Sequence, residues 1–214
     1  MEVVLDHLGE FGNGWFTTIR LSVLSFLLAM AIGLLIAAMR VSPFQPARVV
    51  GTAYVDIFRN SPLPVLILLV WFGLPKLDID VSRFWAAVLV LSLYTGAFLG
   101  ETVRSGINAV ALGQSEAARS IGLTFTQNLR LVILPQALRT VVQPIGNIWI
   151  ALIKNSAVAG FIAVPELIFR TDQVNTDESD PVPLFIGAAI GYLLLTLSSG
   201  FFLSRIEQRL AIKR

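Results

Sequence analysis

The 214-residue chain has no cysteine, one histidine and few charges of either sign. Without cysteine there is no disulfide framework and no thiolate-ligated metal. His7 stands alone in a polar N-terminal segment, which argues against a zinc or haem centre; it reads as a solvated side chain. Lys, Arg, Asp and Glu together make up 14% of the chain, against about 25% in a soluble domain. Apolar residues fill the gap: 55% of the chain is hydrophobic and the mean hydropathy is +0.76. That balance points to lipid as the solvent. The segment Met1–Glu10 carries Glu2, Asp6 and Glu10 but no Lys or Arg. A cleaved secretory signal opens on basic residues, so the first hydrophobic stretch is expected to remain as a membrane span.

A helix needs roughly 20 mostly apolar residues to cross the hydrocarbon core. Five segments qualify: Thr17–Met39, Gly51–Phe72, Phe84–Val103, Val141–Ala159 and Pro183–Ser204. None shows the alternation of barrel strands, and backbone in lipid must satisfy its own hydrogen bonds. The expectation is an all-α integral membrane protein forming one domain over 1–214. The connections 40–50, 104–140 and 205–214 hold Arg40, Arg48, Arg104, Arg119, Arg130, Arg139, Arg205, Arg209, Lys213 and Arg214. The connections on the other side hold only Lys76, Arg83 and Arg170. Positive charge marks the cytoplasmic side. The N-terminus is therefore expected outside and the C-terminus inside.

Two spans are irregular. Pro62 and Pro64 lie within the second, in Arg59-Asn60-Ser61-Pro62-Leu63-Pro64, and should kink or break it. The fourth runs through Lys154-Asn155-Ser156 and stays apolar to Val164-Pro165, which predicts a bend or a short horizontal helix. Asp172–Asp180, closed by Pro181 and Pro183, reads as an exposed outer loop. Trp15, Trp71 and Trp85 suit interface anchoring, and Arg20 can snorkel. Trp149 lies within a span and is expected to pack against a partner chain. Gly33, Gly96, Gly100 and Gly146 permit close helix approach.

The connection 104–140 is longer than a simple link requires. Gly113 can break the third span, Ser115 can cap a new helix, and Glu116 in its first turn favours the helix dipole. Ala117 and Ala118 let another surface approach closely, Arg119 and Glu116 can make charge-assisted contacts, and Gly122 can end the helix in the left-handed region. On these grounds alone, an amphipathic linker lying on the membrane surface serves equally well.

The spacing tips the balance. Glu116-Ala117-Ala118, Gly122, then Val132, Leu134 and Pro135 resembles the cytoplasmic loop motif of permease subunits of bacterial ATP-binding-cassette importers, with Val132 for the usual isoleucine. Arg59-Asn60-Ser61-Pro62, Tyr94, Glu101-Thr102-Val103-Arg104-Ser105-Gly106-Ile107, Pro135-Gln136-Ala137-Leu138-Arg139 and Lys154-Asn155-Ser156 narrow the resemblance to the polar amino acid permeases. Met39-Arg40-Val41-Ser42-Pro43 and Arg104-Ser105-Gly106-Ile107-Asn108 are similar to actinobacterial glutamate-uptake permeases. Asn60-Ser61 stands where that family has Gly-Thr, and Ala157-Val158 where Ser-Leu or Thr-Ile is common.

The resemblance implies a type I importer permease in a bacterial plasma membrane, carrying a polar amino acid, glutamate first. The loop over 113–135 would couple transport to a separate ATPase through Gly113, Ser115, Glu116, Ala117, Ala118, Arg119 and Gly122. Arg59, Asn60, Ser61, Glu101, Lys154, Asn155 and Ser156 are the candidates for the translocation path. The chain has no Gly-x-x-x-x-Gly-Lys-Ser/Thr, so no cofactor is expected on it, and ATP and Mg would be bound by the partner ATPase. Further implied partners are a second copy or sibling permease and an extracellular solute-binding protein.

Charges inside a span cost at least ~2.5 kcal/mol each unless paired or wet. Asp56 and Arg59, three residues apart, can pair on one helix face; Arg59 can instead hold a carboxylate beside the broken helix. Glu101 can pair with Arg104 or Arg59. An ion-coupled secondary carrier is the rival reading, opposed by the odd span number, the lack of a repeat and the loop motif. A membrane enzyme finds no Ser/His pair, metal cluster or carboxylate pair to support it.

Overall fold

The computed structural model describes residues 2–210, and all of its regular elements are helical. A short α1 (Glu2–Asp6) precedes α2 (Leu8–Val41), α3 (Gln45–Asn60), α4 (Leu63–Gly73) and α5 (Arg83–Asn108). Then come α6 (Leu112–Ser120), α7 (Phe125–Asn128), α8 (Leu134–Asn155), α9 (Leu167–Glu178) and α10 (Pro181–Leu210). The segments Leu8–Val41, Arg83–Asn108, Phe125–Ile162 and Pro181–Gln208 are each long and apolar enough to cross a membrane. Gln45–Asn60 and Leu63–Leu77, bent by 105° at their junction, together make a fifth, broken span.

The packing of α2 on α5 organises the bundle. On α2, Thr18, Ser22, Ser25, Ala29, Gly33 and Ala37 recur every three or four residues, all buried. This is a stripe of small residues, which lets two backbones approach where lipid offers no hydrophobic driving force. A Cβ on Gly33 would meet the Leu99 Cβ at 2.6 Å and the Gly100 amide nitrogen at 3.1 Å. The Ser92 hydroxyl donates to the Ser25 carbonyl at 3.2 Å, tying the same two helices. Leu21, Ile67, Leu91, Leu152 and Val164 close the main core between α2, α4, α5, the end of α8 and the segment that follows it. Trp149 packs against it: its half-buried ring meets Phe26 edge-on at 5.1 Å, an intrachain contact.

Proline sets the two backbone irregularities. Pro62 and Pro64 remove two donors, and the chain turns at Ser61–Pro62. Before Pro135, whose ring crowds the carbonyl of Leu131, residues Leu129–Ile133 widen into a π-turn that lets α7 run on into α8.

Four boundaries differ from the sequence expectation. Helix α2 begins at Leu8, because Phe11 and Gly14 in its first turns bury against α9 and α10. Helix α8 begins at Leu134, ahead of the expected span at Val141, continuing the π-turn. Gly113 does not break α5: that helix ends at Asn108, and Gly113 lies inside the first turn of α6, whose N-cap is Ala111 and not Ser115. The acidic segment read as a loop is largely helix α9, since Glu166, fully buried, caps it by accepting from the amides of Ile168 at 2.9 Å and Phe169 at 2.7 Å.

Glu166 also accepts from the Tyr192 hydroxyl at 2.8 Å, joining α9 to α10. Burial pushes its carboxyl up from 4.5 to about 6, against the pull of its hydrogen bonds. The fold thus favours the protonated acid. Its stabilisation is full below pH 4.5 and is lost as the pH rises through about 6, an effect on the order of 2 kcal/mol. Hydrogen-exchange protection of the Ile168 and Phe169 amides should therefore fall between about pH 5 and pH 7, and Glu166→Gln should flatten that dependence. Equal pH dependence in the variant would assign it to another group.

Candidate functional site

Helices α6 and α9 lie at opposite ends of the continuous segment Phe125–Ile162. At the α6 end the chain builds a compact unit from local rules. Helix α6 closes with the Gly122 amide on the Arg119 carbonyl (2.9 Å) and the Leu123 amide on the Ala118 carbonyl (3.1 Å). This double closure needs a left-handed residue, and Gly122 supplies φ +85°. Two residues on, the Thr124 hydroxyl accepts from the Gln127 amide and the Gln127 side chain accepts from the Thr124 amide. That reciprocal cap starts α7 at once, so α6 and α7 are joined by a tight, specified turn.

One side-chain bond locks the two helices together. Asn128, buried at 4% exposure, donates to the Ser115 hydroxyl at 2.7 Å. Ala118 is also 4% exposed and turns inward on the unit. The expected division of labour changes accordingly: Ser115 and Ala118 hold the unit, while Gly113, Glu116, Ala117, Arg119 and Gly122 face out. Around them Leu112, Ile121 and Phe125 are 80%, 79% and 79% exposed. Three large apolar side chains thus stand exposed on a polar connection. Asn128 escaped the sequence reading because its role is tertiary; Thr124-x-x-Gln127 is a local signature that could have been read.

The candidate path residues do not form one cluster. Around the Ser61–Pro62 turn, Asn60 donates to the Asp56 carbonyl and Ser61 to the Ile57 carbonyl, both at 2.7 Å, which folds both side chains back on the last turn of α3. Arg59 lies over the Phe98 ring at 5.3 Å and not on Asp56; no Asp56–Arg59 ion pair forms among the described residues. The aromatic face on α5 offers the guanidinium a cation–π contact in place of its helix neighbour. Phe98 in turn lines a cavity of about 240 Å³ with Tyr94, Thr95, Ala151 and Asn155. Thr95 and Phe98 were not singled out in the sequence, where nothing distinguishes them from packing residues.

Glu101 belongs to neither the turn nor this cavity. It bridges Arg40 of α2 and Arg104 of its own helix, taking the Arg104 Nε at 3.4 Å, and makes no bond to Arg59. Ser156 is buried and donates to the Ile153 carbonyl at 2.7 Å, a structural tie at the end of α8. Lys154 is exposed and unpaired among the described residues. No group of three or more metal-ligating side chains occurs among the described residues.

Residues 12–212 match the family model described as the binding-protein-dependent transport system inner membrane component. The probable glutamine ABC transporter permease protein GlnM of Bacillus subtilis (strain 168) is 35% identical over 210 residues, covering 98% of this chain and 97% of that protein. The glutamate transport system permease protein GluC of Corynebacterium efficiens is 39% identical over 213 residues, covering 94% of this chain and 93% of that one. A solved structure described as an amino acid ABC transporter with histidines matches with a TM-score of 0.92 at 32% identity, over 96% of each chain.

Proposed function

This chain belongs to the binding-protein-dependent transport system inner membrane components, and from that membership we propose that it forms the amino acid path of its importer, takes glutamate, and is driven through the α6–α7 unit. The family supplies the membrane subunit of amino acid importers that work with separate ATP-binding subunits. The observation that carries the coupling assignment is the exposed Leu112, Ile121 and Phe125 around a closed, side-chain-locked helix pair. The π-turn joins that unit to α8 without a flexible link, so movement of the unit is passed to a spanning helix. ATP and Mg sit on the ATPase, not on this chain.

In this reading the α6 end faces the cytoplasm, as the basic connections require. The N-terminus and α9 face outward, where an extracellular binding protein delivers the solute. A second copy or a sibling permease completes the path. Arg59, Asn60, Ser61 and Asn155 line it near mid-membrane, beside the cavity of Tyr94 and Phe98; exposed Lys154 adds a cation suited to an acidic substrate. Glu101 acts through structure, holding Arg40 and Arg104. Glutamate rests on the similarity to GluC, and glutamine is the competing substrate through GlnM.

The test is ATP hydrolysis by the complex reconstituted with its ATPase and binding protein, measured against a panel of amino acids. Stimulation by glutamate alone is expected. Stimulation by glutamine or a cationic amino acid keeps the importer and replaces the substrate. Failure of any ATPase to associate would turn the assignment to an ion-coupled secondary carrier.

A further inference from the structure

Helix α3 carries a polar stripe that the coupling unit and the mid-membrane cavity leave unexplained. Arg48, Thr52, Asp56 and Arg59 follow one another at intervals of three or four residues and are all exposed, while Gly51 and Val55 on the adjoining face are buried. At the α2–α3 end of this stripe Arg40, Arg48, Thr52, Asp56 and Arg104 line a cavity of about 530 Å³. That size falls within the roughly 300–1,000 Å³ of small-molecule clefts. Arg40 reaches it because Gly51 has no side chain: a Cβ there would meet the Arg40 Cγ at 2.8 Å. The arginines come from three helices, so the fold converges them and not local sequence alone.

The charges are incompletely paired. Glu101 pairs with both Arg40 and Arg104, which leaves the three side chains one positive charge in excess. Arg48 donates only to the Ser42 and Pro43 carbonyls, at 2.9 and 3.0 Å. Among the described residues Arg48 meets no carboxylate and Asp56 meets no cation. Arg40, Arg48 and Arg104 belong to basic connections at one membrane face, but Asp56 stands about two turns deeper on α3 than Arg48. An open carboxylate at that depth calls for a water-filled path and not a lipid-facing wall. One class of solute matches both signs at once: an amino acid, with its carboxylate and ammonium on the same carbon.

We propose that this cavity binds the backbone of the transported amino acid, the carboxylate on the arginines and the ammonium on Asp56. It is a second station, roughly two turns along α5 from the Phe98 cavity. The site recognises what all amino acids share, so it serves passage and not choice of side chain. The inference rests on the importer reading.

The experiment is equilibrium dialysis of radiolabelled L-glutamate, L-glutamine and L-arginine against the permease–ATPase complex in nanodiscs without binding protein, beside uptake by the full complex. Glutarate, which lacks the ammonium, is the competitor. Wild type should favour L-glutamate over glutarate by about tenfold, in line with one charge-assisted contact. D56N should erase that preference and weaken every bound amino acid by a similar factor. Arg48→Gln should weaken both ligands and Arg48→Lys restore them, separating charge from bracing of the turn. Unchanged discrimination in D56N, or uptake without any dialysis-detectable binding, would overturn the station while leaving the importer intact. Displacement by phosphatidylglycerol that is sensitive to Arg48→Gln but not to D56N would assign the arginines to a lipid headgroup and overturn it too. Absence of both uptake and binding of any amino acid in wild type would sink the importer reading along with it.

Discussion

Replacing Ala118 by arginine is expected to abolish uptake while the chain still reaches the membrane. Ala118 is 4% exposed, and its carbonyl accepts the Leu123 amide that closes α6. A long cation in that space costs about 1–3 kcal/mol in overpacking and more for an unpaired buried charge. The α6–α7 unit is small and cannot absorb that cost, whereas the span packing is distant from it. Ala117→Arg on the exposed neighbouring position separates two causes of failure. It leaves the unit folded and lost uptake then reports blocked docking. Gly122→Asp should act without steric clash inside the chain, since no atom lies within 4 Å of a Cβ there: it strains a left-handed position, φ +85°, that favours glycine, and sets a new charge on the outward face. The measurements are membrane yield, ATPase co-purification and uptake in proteoliposomes. Normal ATPase retention and uptake in Ala118→Arg would remove the coupling role from this unit.

The contrast between these positions shows where sequence was informative. The five spans were legible because run length and hydropathy are local, and the break at Pro62 because a missing amide donor is a property of one residue. Gly122 was legible for the same reason. What needed the fold was every choice between competing partners. Arg59 had Asp56 one turn away, but Phe98 on α5 offers it a ring face. Ser115 has a capping residue's chemistry, but Asn128 from α7 takes its hydroxyl. Trp149 has Phe26 of α2 against its ring, a contact that no local pattern announces. Helix α9 was hidden because its acidic run lacks an apolar period, while the group that starts it, Glu166, is a carboxylate buried among α2, α9 and α10. Nothing in one sequence announces a buried acid.

The largest loss of folded protein is expected from Gly33→Leu. At most glycines a new side chain can push a flexible neighbour aside. At Gly33 the first added carbon would meet the Leu99 Cβ at 2.6 Å, the Gly100 amide nitrogen at 3.1 Å and the Gly96 carbonyl at 3.2 Å. Two of these atoms are backbone, so relief requires α2 and α5 to move apart along the stripe that runs from Thr18 to Ala37. Separation would also break the Ser92–Ser25 contact and pull Arg40 away from Glu101. Overpacking of this kind costs about 1–3 kcal/mol before such secondary losses are added. The chain should accumulate poorly in the membrane and lose its thermal transition in detergent. Gly146→Leu gives the comparison, since the three atoms nearest its Cβ would all belong to the branched end of the Leu203 side chain. It should retain most of its yield. Equal yields for the two variants would mean that the α2–α5 contact is not what holds the bundle together.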